Sequence, residues 1–195
     1  SPSYDLSAGD TYDITVRGND SDGNNFLQNV EWADGSSSAT DINETGEGTY
    51  IYEARRAGVH TLTYSTALTS GEWSVEVQAI PTVSHFIVNL SSDKVEQLER
   101  IEIEVRSFDE YWNEIPTPGQ TKVETTDAHE KVAILAQGNG VWYLDTVSDG
   151  EHILTVSHNR VTQSVEYTVE SSIAGFYAAN APLSYIGSAL GGIVL

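Results

Sequence analysis

Apolar and polar residues alternate along most of the chain with the period of two that is typical of β-strands. Two such runs place their apolar side chains at Tyr12, Ile14 and Val16, and at Trp73, Val75 and Val77. Alternation of this kind gives each strand one face for a core and one for water, as in stacked antiparallel sheets. Gly-rich turns separate the runs, for example at residues 46–48 and 138–140. The pattern predicts an all-β chain.

The chain also contains an internal repeat. Residues 48–64, GTYIYEARRAGVHTLTY, align without a gap with residues 140–156, GVWYLDTVSDGEHILTV, at an offset of 92. The matched pairs include Tyr50 and Trp142, Gly58 and Gly150, and His60 and His152. Upstream the offset is 89, where Ile14 matches Ile103. One loop insertion would produce that difference, so the repeat predicts two domains of similar structure.

Each copy is about 80 to 90 residues long, which is within the size of a seven-strand β-sandwich. We therefore predict one sandwich over residues 1–80 and a second over residues 81–170. A short join with a single proline, Pro81, lies between them. The remaining segment, residues 171–195, forms an apolar tail.

Short motifs in both copies resemble a known family. The run ITVRGNDSDGN at residues 14–24 resembles the second-strand signature of bacterial and archaeal Ig-like repeats of the invasin and filamin kind. The later runs GVHTLTY at 58–64 and GEHILTV at 150–156 resemble another strand of these families, with His where the pattern usually has Tyr. The second copy has DEYWN at 109–113 in place of the Asp-Gly-Asn turn.

This resemblance implies two tandem immunoglobulin-like β-sandwiches exposed on a prokaryotic cell surface. The partners that it implies are neighbouring Ig-like domains of the same protein or other surface proteins. It transfers no catalytic residue, because a fold shared by many proteins does not specify an activity.

The tail is apolar and follows the last charged residue, Glu170. Asn180 and Pro182 suit the cap and first turn of a helix. We predict a short helical segment that begins a transmembrane helix and tethers the protein to a membrane. The alternative is a short helix or strand that packs against protein.

The charge balance is strongly acidic, with 9 Lys and Arg against 29 Asp and Glu, a net charge of −20. Such a chain is repelled by nucleic acids and by anionic lipid headgroups, which argues against both as electrostatic partners. It contains no cysteine, so disulfides and thiolate metal sites are excluded. Acidity and the implied family together predict an extracellular location.

The candidate metal site is the turn that contains Asp20, Asp22 and Asn24, with Asp109 at the equivalent place in the second copy. Carboxylate, amide and backbone oxygens are the ligands that Ca²⁺ prefers. The alternative is a hairpin turn whose Asp and Asn side chains cap nearby backbone groups. Calcium is the only cofactor that the sequence suggests.

Two tryptophans, Trp32 and Trp112, lie beside polar loops and are the candidates for an exposed pair that stacks on a sugar. Trp73 and Trp142 lie in alternating strands and are expected in the core. The alternative for the exposed pair is ordinary packing, because aromatic side chains of a sandwich are usually buried.

Other motifs carry less information. Three N-x-S/T triplets, at Asn19, Asn43 and Asn89, predict glycosylation in an exported protein. His60 and His152 are matched but lack zinc-ligand spacing. No nucleophile elbow and no phosphate-binding glycine loop occurs, so we do not predict an enzyme.

These observations predict a non-catalytic surface stalk or adhesive ectodomain that spaces or displays a binding surface outside the cell. The alternative is a carbohydrate- or calcium-binding accessory module of a larger surface enzyme.

Overall fold

The computed structural model describes residues 4–34 and 41–173, and the elements that lie wholly within those ranges are β-strands. They form two compact units. The first runs to Thr82 and also includes Asp109–Glu114, and the second comprises Val83–Phe108 and the chain from Ile115 onward. The sequence-based bounds of 1–80, 81–170 and 171–195 stay a prediction.

Nine of the described strands lie in the first unit. They are β1 (Tyr4–Ser7), β2 (Thr11–Thr15), β3 (Arg17–Asn19), β4 (Asn25–Leu27), β5 (Glu31–Asp34), β6 (Ile42–Gly46), β7 (Thr49–Glu53), β8 (Gly58–Ser65) and β9 (Ser70–Gln78). One sheet has the order β1-β9-β8-β5, with β1 parallel to β9. A second has the order β2-β7-β6, and β3 and β4 form a separate hairpin.

The remaining described strands follow the join. They are β10 (His85–Leu90), β11 (Lys94–Glu96), β12 (Arg100–Phe108), β13 (Glu114–Ile115), β14 (Lys122–Thr125), β15 (Ala133–Gly138), β16 (Val141–Asp145), β17 (Gly150–His158) and β18 (Val161–Glu170). One sheet has the order β10-β12-β16-β15, and the other has the order β11-β18-β17-β14. In the second sheet β11 runs parallel to β18.

The strand order identifies the fold of each unit. Lettered along the chain, the second unit places strands A, B, E and D in one sheet and A′, G, F and C in the other. This is the immunoglobulin arrangement, in which ABED faces CFG. The first unit has B, E and D (β2-β7-β6) and A′, G, F and C (β1-β9-β8-β5). The predicted fold class, two immunoglobulin-like β-sandwiches, is confirmed for the described residues.

The internal repeat is also visible in the strand register. Ile14 of β2 pairs with Tyr50 of β7, and the matched Ile103 of β12 pairs with Trp142 of β16. Each copy has a register shift at the same place, between Glu44 and Gly46 and between Ala136 and Gly138. The two copies therefore share their pairing as well as their sequence pattern.

Two glycines fix the start of the E strand in both copies. Gly48 and Gly140 have φ angles of 61° and 77°, which residues other than Gly rarely adopt. The carbonyl of Gly48 accepts a hydrogen bond from Val16 N, directly after β2, at 2.8 Å, and that of Gly140 accepts one from Val105 N of β12 at 2.7 Å. A Cβ on Gly140 would lie 2.4 Å from the Val105 carbonyl oxygen, so only glycine fits there.

Each unit buries residues from both of its sheets. In the first, the buried cluster consists of Ala8, Tyr52, Ala54, Leu62, Val75 and Val77. In the second, the most buried apolar side chains are Ile101, Ile103, Leu144, Leu154, Val156, Tyr167 and Val169. Strand β12 shows why these side chains are buried, because its inward Ile and Val side chains alternate with the exposed Glu102 and Glu104. Alternation thus builds one apolar face per strand.

The predicted helical tail and its membrane-spanning role fall on residues 174–195, outside the described part of the chain. Among the residues that the structure describes, no helix has the length and apolarity that crossing a bilayer requires.

Candidate functional site

The first unit contains an open cleft of about 590 Å³. It is bounded by the end of β2, by the β3–β4 hairpin and by the turn between β8 and β9. Its aromatic wall consists of Phe26, Trp32, Tyr64 and Trp73. The cleft thus lies where the B–C and F–G connections meet, the end of the sandwich that carries binding loops in antibody variable domains.

Ring contacts hold the two tryptophans of the aromatic wall in place. Trp32 meets Tyr50 edge to face at 5.6 Å between ring centroids and is tilted against Tyr64 at the same distance. Trp73 stacks with Tyr12 at 5.6 Å and meets Tyr52 edge to face at 5.2 Å. Aromatic pairs in these geometries are stabilising, so the two tryptophans have defined positions in the wall.

A polar rim lines the same cleft and consists of Arg17, Asn19, Gln28 and Glu72. Within the described residues, none of these four side chains forms a hydrogen bond or ion pair. The Trp32 Nε1 donor, which is buried, likewise has no hydrogen-bond partner in that part of the chain. The cleft therefore combines two tryptophan rings held by ring contacts with polar groups that form no side-chain hydrogen bond within the described residues.

In the second unit, the residues that match the floor of the cleft are buried. Ile14 and Val16 are only partly buried, but the matched Ile103 and Val105 are 0% and 2% exposed. The difference follows from the strands, because β12 continues unbroken to Phe108, whereas β2 ends at Thr15 and the chain enters the β3–β4 hairpin. The cleft arises where the first sandwich departs from the second.

The structure separates the predicted exposed pair of tryptophans. Trp112 is 58% exposed and does not line the cleft. Trp32 is partly buried, so the expectation that it is exposed was wrong, because β5 turns its ring toward Tyr50 and Tyr64. Trp73, expected only in the core, packs against the core and also lines the cleft. A role for Trp32 and Trp112 in ligand binding stays a prediction.

The candidate metal loop is organised around the Asp20 carboxylate. Oδ1 accepts hydrogen bonds from Asp22 N at 2.9 Å and Asn24 N at 2.8 Å, and Oδ2 accepts one from Asn24 Nδ2 at 2.9 Å. The hydrogen bond from the Asn24 side chain is the main reason that the pKa of Asp20 lies below its ordinary value. The carboxylate caps the turn between β3 and β4.

Asp109 makes the same three bonds within its own loop, although the residues between Asp and Asn differ, and it accepts a fourth from Ile80. Its Oδ1 accepts from Tyr111 N at 2.9 Å and Asn113 N at 2.8 Å, and its Oδ2 accepts from Asn113 Nδ2 at 2.9 Å and Ile80 N at 3.0 Å. Burial acts to raise the pKa of Asp109, but the bonds from Asn113, Ile80 and Tyr111 outweigh burial and lower it.

A third carboxylate of this kind, Asp127, was not singled out by the sequence. Its Oδ1 accepts from the Ser148 hydroxyl at 2.7 Å and from His129 N at 3.1 Å, and Oδ2 accepts from Ser148 N at 3.1 Å. Burial acts to raise the pKa of Asp127, but these hydrogen bonds, with a smaller contribution from His152, lower it. Ser148 lies 21 residues away, so no local motif marks the pair.

No group of three or more Asp, Glu or His side chains is arranged to hold a metal within residues 4–34 and 41–173. Both oxygens of Asp20 already accept hydrogen bonds, which favours the turn-capping interpretation of Asp20, Asp22 and Asn24. The loops of Asp20 and Asp109 are similar but are not one cluster. Calcium binding stays a prediction.

The matched histidines have matched structural contacts. His60 Nε2 lies 2.7 Å from the Arg56 carbonyl oxygen, and His152 Nε2 lies 2.9 Å from the Ser148 carbonyl oxygen. Because a carbonyl can only accept, each ring donates from Nε2. Each histidine therefore ties its F strand to the loop four residues before it.

The three predicted glycosylation sites are all exposed. Asn19 lies at the end of β3, Asn43 in β6 and Asn89 in β10. Asn89 also donates from Nδ2 to Glu104 Oε2 at 3.3 Å. Attachment of a glycan at any of them stays a prediction.

No family model and no curated protein matches the chain. Similar solved structures include domains 5-6 of the S-layer protein SbsC, at 18% identity over 88% of this chain and 95% of that chain, with a TM-score of 0.35. They also include the Yersinia pseudotuberculosis adhesin InvE, at 13% identity over 86% of this chain and 56% of that chain, with a TM-score of 0.38. Yersinia pseudotuberculosis InvD is 14% identical over 87% of this chain and 55% of that chain, with a TM-score of 0.40.

The chain spans 30% of a longer SbsC structure, domains 4-9, which it matches at 17% identity with a TM-score of 0.37. At these identities and TM-scores, no residue role or activity passes from the neighbours to this chain.

Proposed function

We propose that the chain is a non-catalytic module on the outside of a cell, where its β-sandwiches space or display a binding surface. The observation that carries the proposal is how the chain uses its titratable groups. Asp20, Asp109 and Asp127 all accept bonds from backbone N–H groups, and His60 and His152 donate to backbone carbonyls. Groups that enzymes use for chemistry serve here to fix loops.

The charge of the chain supports the same proposal. A net charge of −20 gives a soluble, self-repelling surface that suits exposure to salt water, where charges are screened over about 8 Å. It gives no attraction to nucleic acid. Neighbouring Ig-like domains and other surface proteins are the partners that we propose.

A second candidate function is supported by the cleft in the first unit. An aromatic wall with an unpaired polar rim suits a ligand-binding module attached to a larger surface protein. The two functions differ in what the module contributes, which is distance in the first case and recognition in the second.

Surface labelling of the source cells tests the proposal. Antibodies raised against the chain should label intact cells, and mild protease treatment of those cells should remove the label. Label that appears only after permeabilisation would overturn the extracellular assignment. An intracellular protein antigen of the same cells serves as the control for leakage.

A further inference from the structure

We propose that the cleft in the first unit binds a neutral saccharide. The proposal deepens the proposed function and rests on it, because it names the ligand class that the displayed surface would take. Binding would use the aromatic wall, Phe26, Trp32, Tyr64 and Trp73, together with the polar rim, Arg17, Asn19, Gln28 and Glu72.

The chemistry of the lining matches that of a sugar ring. A pyranose presents an apolar C–H face, which packs on aromatic side chains, and an edge of hydroxyl groups that both donate and accept. Asn19 and Gln28 each offer an amide that does both, Arg17 offers donors and Glu72 offers acceptors. Because these four are unpaired within the described residues, a ligand displaces no internal bond of theirs.

Charge selects a neutral ligand over an anionic one. The polar rim carries one cation and one anion, Arg17 and Glu72, so its formal charge is zero. The chain as a whole carries −20, and its field repels acidic sugars and phosphates. A neutral, hydroxyl-rich molecule meets no such barrier.

The size of the cleft is also suitable. Small-molecule sites commonly measure about 300 to 1,000 Å³, and the cleft measures about 590 Å³. A proline-rich peptide also docks on aromatic grooves. Such a peptide would leave most of the polar rim unused, whereas a saccharide engages it.

The first experiment probes the whole chain against immobilised neutral oligosaccharides, anionic oligosaccharides and proline-rich peptides. Saturable binding to neutral oligosaccharides is expected. Binding only to the anionic oligosaccharides, or binding only to the peptides, would overturn the proposal. No detectable binding to any of the three ligand sets, even at millimolar concentration, would also overturn it.

The second experiment locates the site by ¹H–¹⁵N spectra of the four tryptophan indoles, titrated with the best-bound soluble oligosaccharide. The indole signals of Trp32 and Trp73 should shift saturably, because both side chains line the cleft. Trp112 and Trp142, which do not line it, should stay in place. Shifts at Trp112 alone would contradict the assignment.

Variants at exposed positions separate loss of binding from loss of folding. Phe26→Ala and Arg17→Gln change exposed side chains of the cleft and should weaken binding about tenfold or more. Leu135→Ala changes an exposed apolar side chain outside the cleft, at a residue with no predicted binding role, and should leave affinity within about twofold. Equal effects of all three would overturn the proposal.

Surface labelling without saccharide binding would overturn this inference alone and leave the proposed surface role standing.

Discussion

At the scale of single residues, the buried carboxylates of Asp109 and Asp127 each accept hydrogen bonds from several donors at once. Asp127 is 5% exposed and binds Ser148 through both of its oxygens. An ionised carboxylate in such a place is stabilised by its hydrogen bonds and is costly to leave without them.

This arrangement predicts how stability responds to acid. The pKa values of Asp109 and Asp127 are lowered in the folded state, so their contribution is complete above the unfolded pKa of about 3.9 and is lost as the pH falls through the lower folded value. The melting temperature, followed by circular dichroism, should therefore drop steeply below about pH 4. A melting temperature that stays unchanged well below pH 4, to about pH 2, would contradict the prediction.

The variant Asp127→Asn isolates one carboxylate. It should lower the free energy of unfolding at pH 7 by about 1 to 3 kcal/mol, because an amide presents N–H groups where Ser148 and His129 need acceptors. It should also flatten the acid dependence, because one titrating group is gone. Denaturant unfolding at several pH values measures both effects. A variant as acid-sensitive as the parent would show that Asp127 contributes nothing to that dependence.

The matched histidines allow a second prediction. His152→Phe keeps an aromatic ring but removes the donor to the Ser148 carbonyl, and should cost about 1 kcal/mol in unfolding free energy. His158→Phe is the control, because within the described chain its side chain has no hydrogen bond, and it should cost less than about 0.5 kcal/mol. Equal costs would mean that the bond from Nε2 is not stabilising.

At the scale of elements, the sequence predicted the strands whose apolar residues alternate, such as β9 with Val75 and Val77. It also predicted the repeat, because Gly48 and Gly140 mark the same turn in both copies. It did not predict the cleft. Alternation shows which face of a strand is apolar, but not whether the opposite sheet closes over that face.

Two site residues show why local sequence patterns could not predict the whole site. Trp32 follows a polar loop in sequence and was expected to be exposed, but the register of β5 beside β8 places it against Tyr64. Asp127 depends on Ser148, a partner that only the folded chain brings near. Contacts between distant segments therefore set both roles, and local sequence patterns do not record them.

The turn between β15 and β16 gives a prediction for an element. Gly138 and Gly140 both have positive φ, but a Cβ has open space at Gly138 and meets the Val105 carbonyl at Gly140. Gly138→Ala should cost about 1 kcal/mol for the backbone conformation alone. Gly140→Ala should cost at least about twice as much, because the backbone clash adds to it. Thermal and denaturant unfolding compare the two, and equal costs would contradict the close approach of β12 to this turn.

At the scale of the whole molecule, the chain contains two copies of one sandwich pattern, and the copies differ at the B strand. In the second copy, Ile103 and Val105 of the B strand are buried in the core. The first copy leaves Ile14 and Val16 partly open and bends into a hairpin. The two copies thus share one fold, and the candidate binding surface lies where the first copy differs from the second.

The most direct test of this account is amide hydrogen exchange, measured by mass spectrometry on two matched core variants. Leu62 and Leu154 occupy equivalent positions and are 2% and 0% exposed, so replacing either with Ala should cost about 2 to 5 kcal/mol. Leu62→Ala should speed exchange in β7, β8 and β9, and Leu154→Ala should speed it in β16, β17 and β18. Loss of protection in both sets of strands from either variant would show a single shared core and contradict the account.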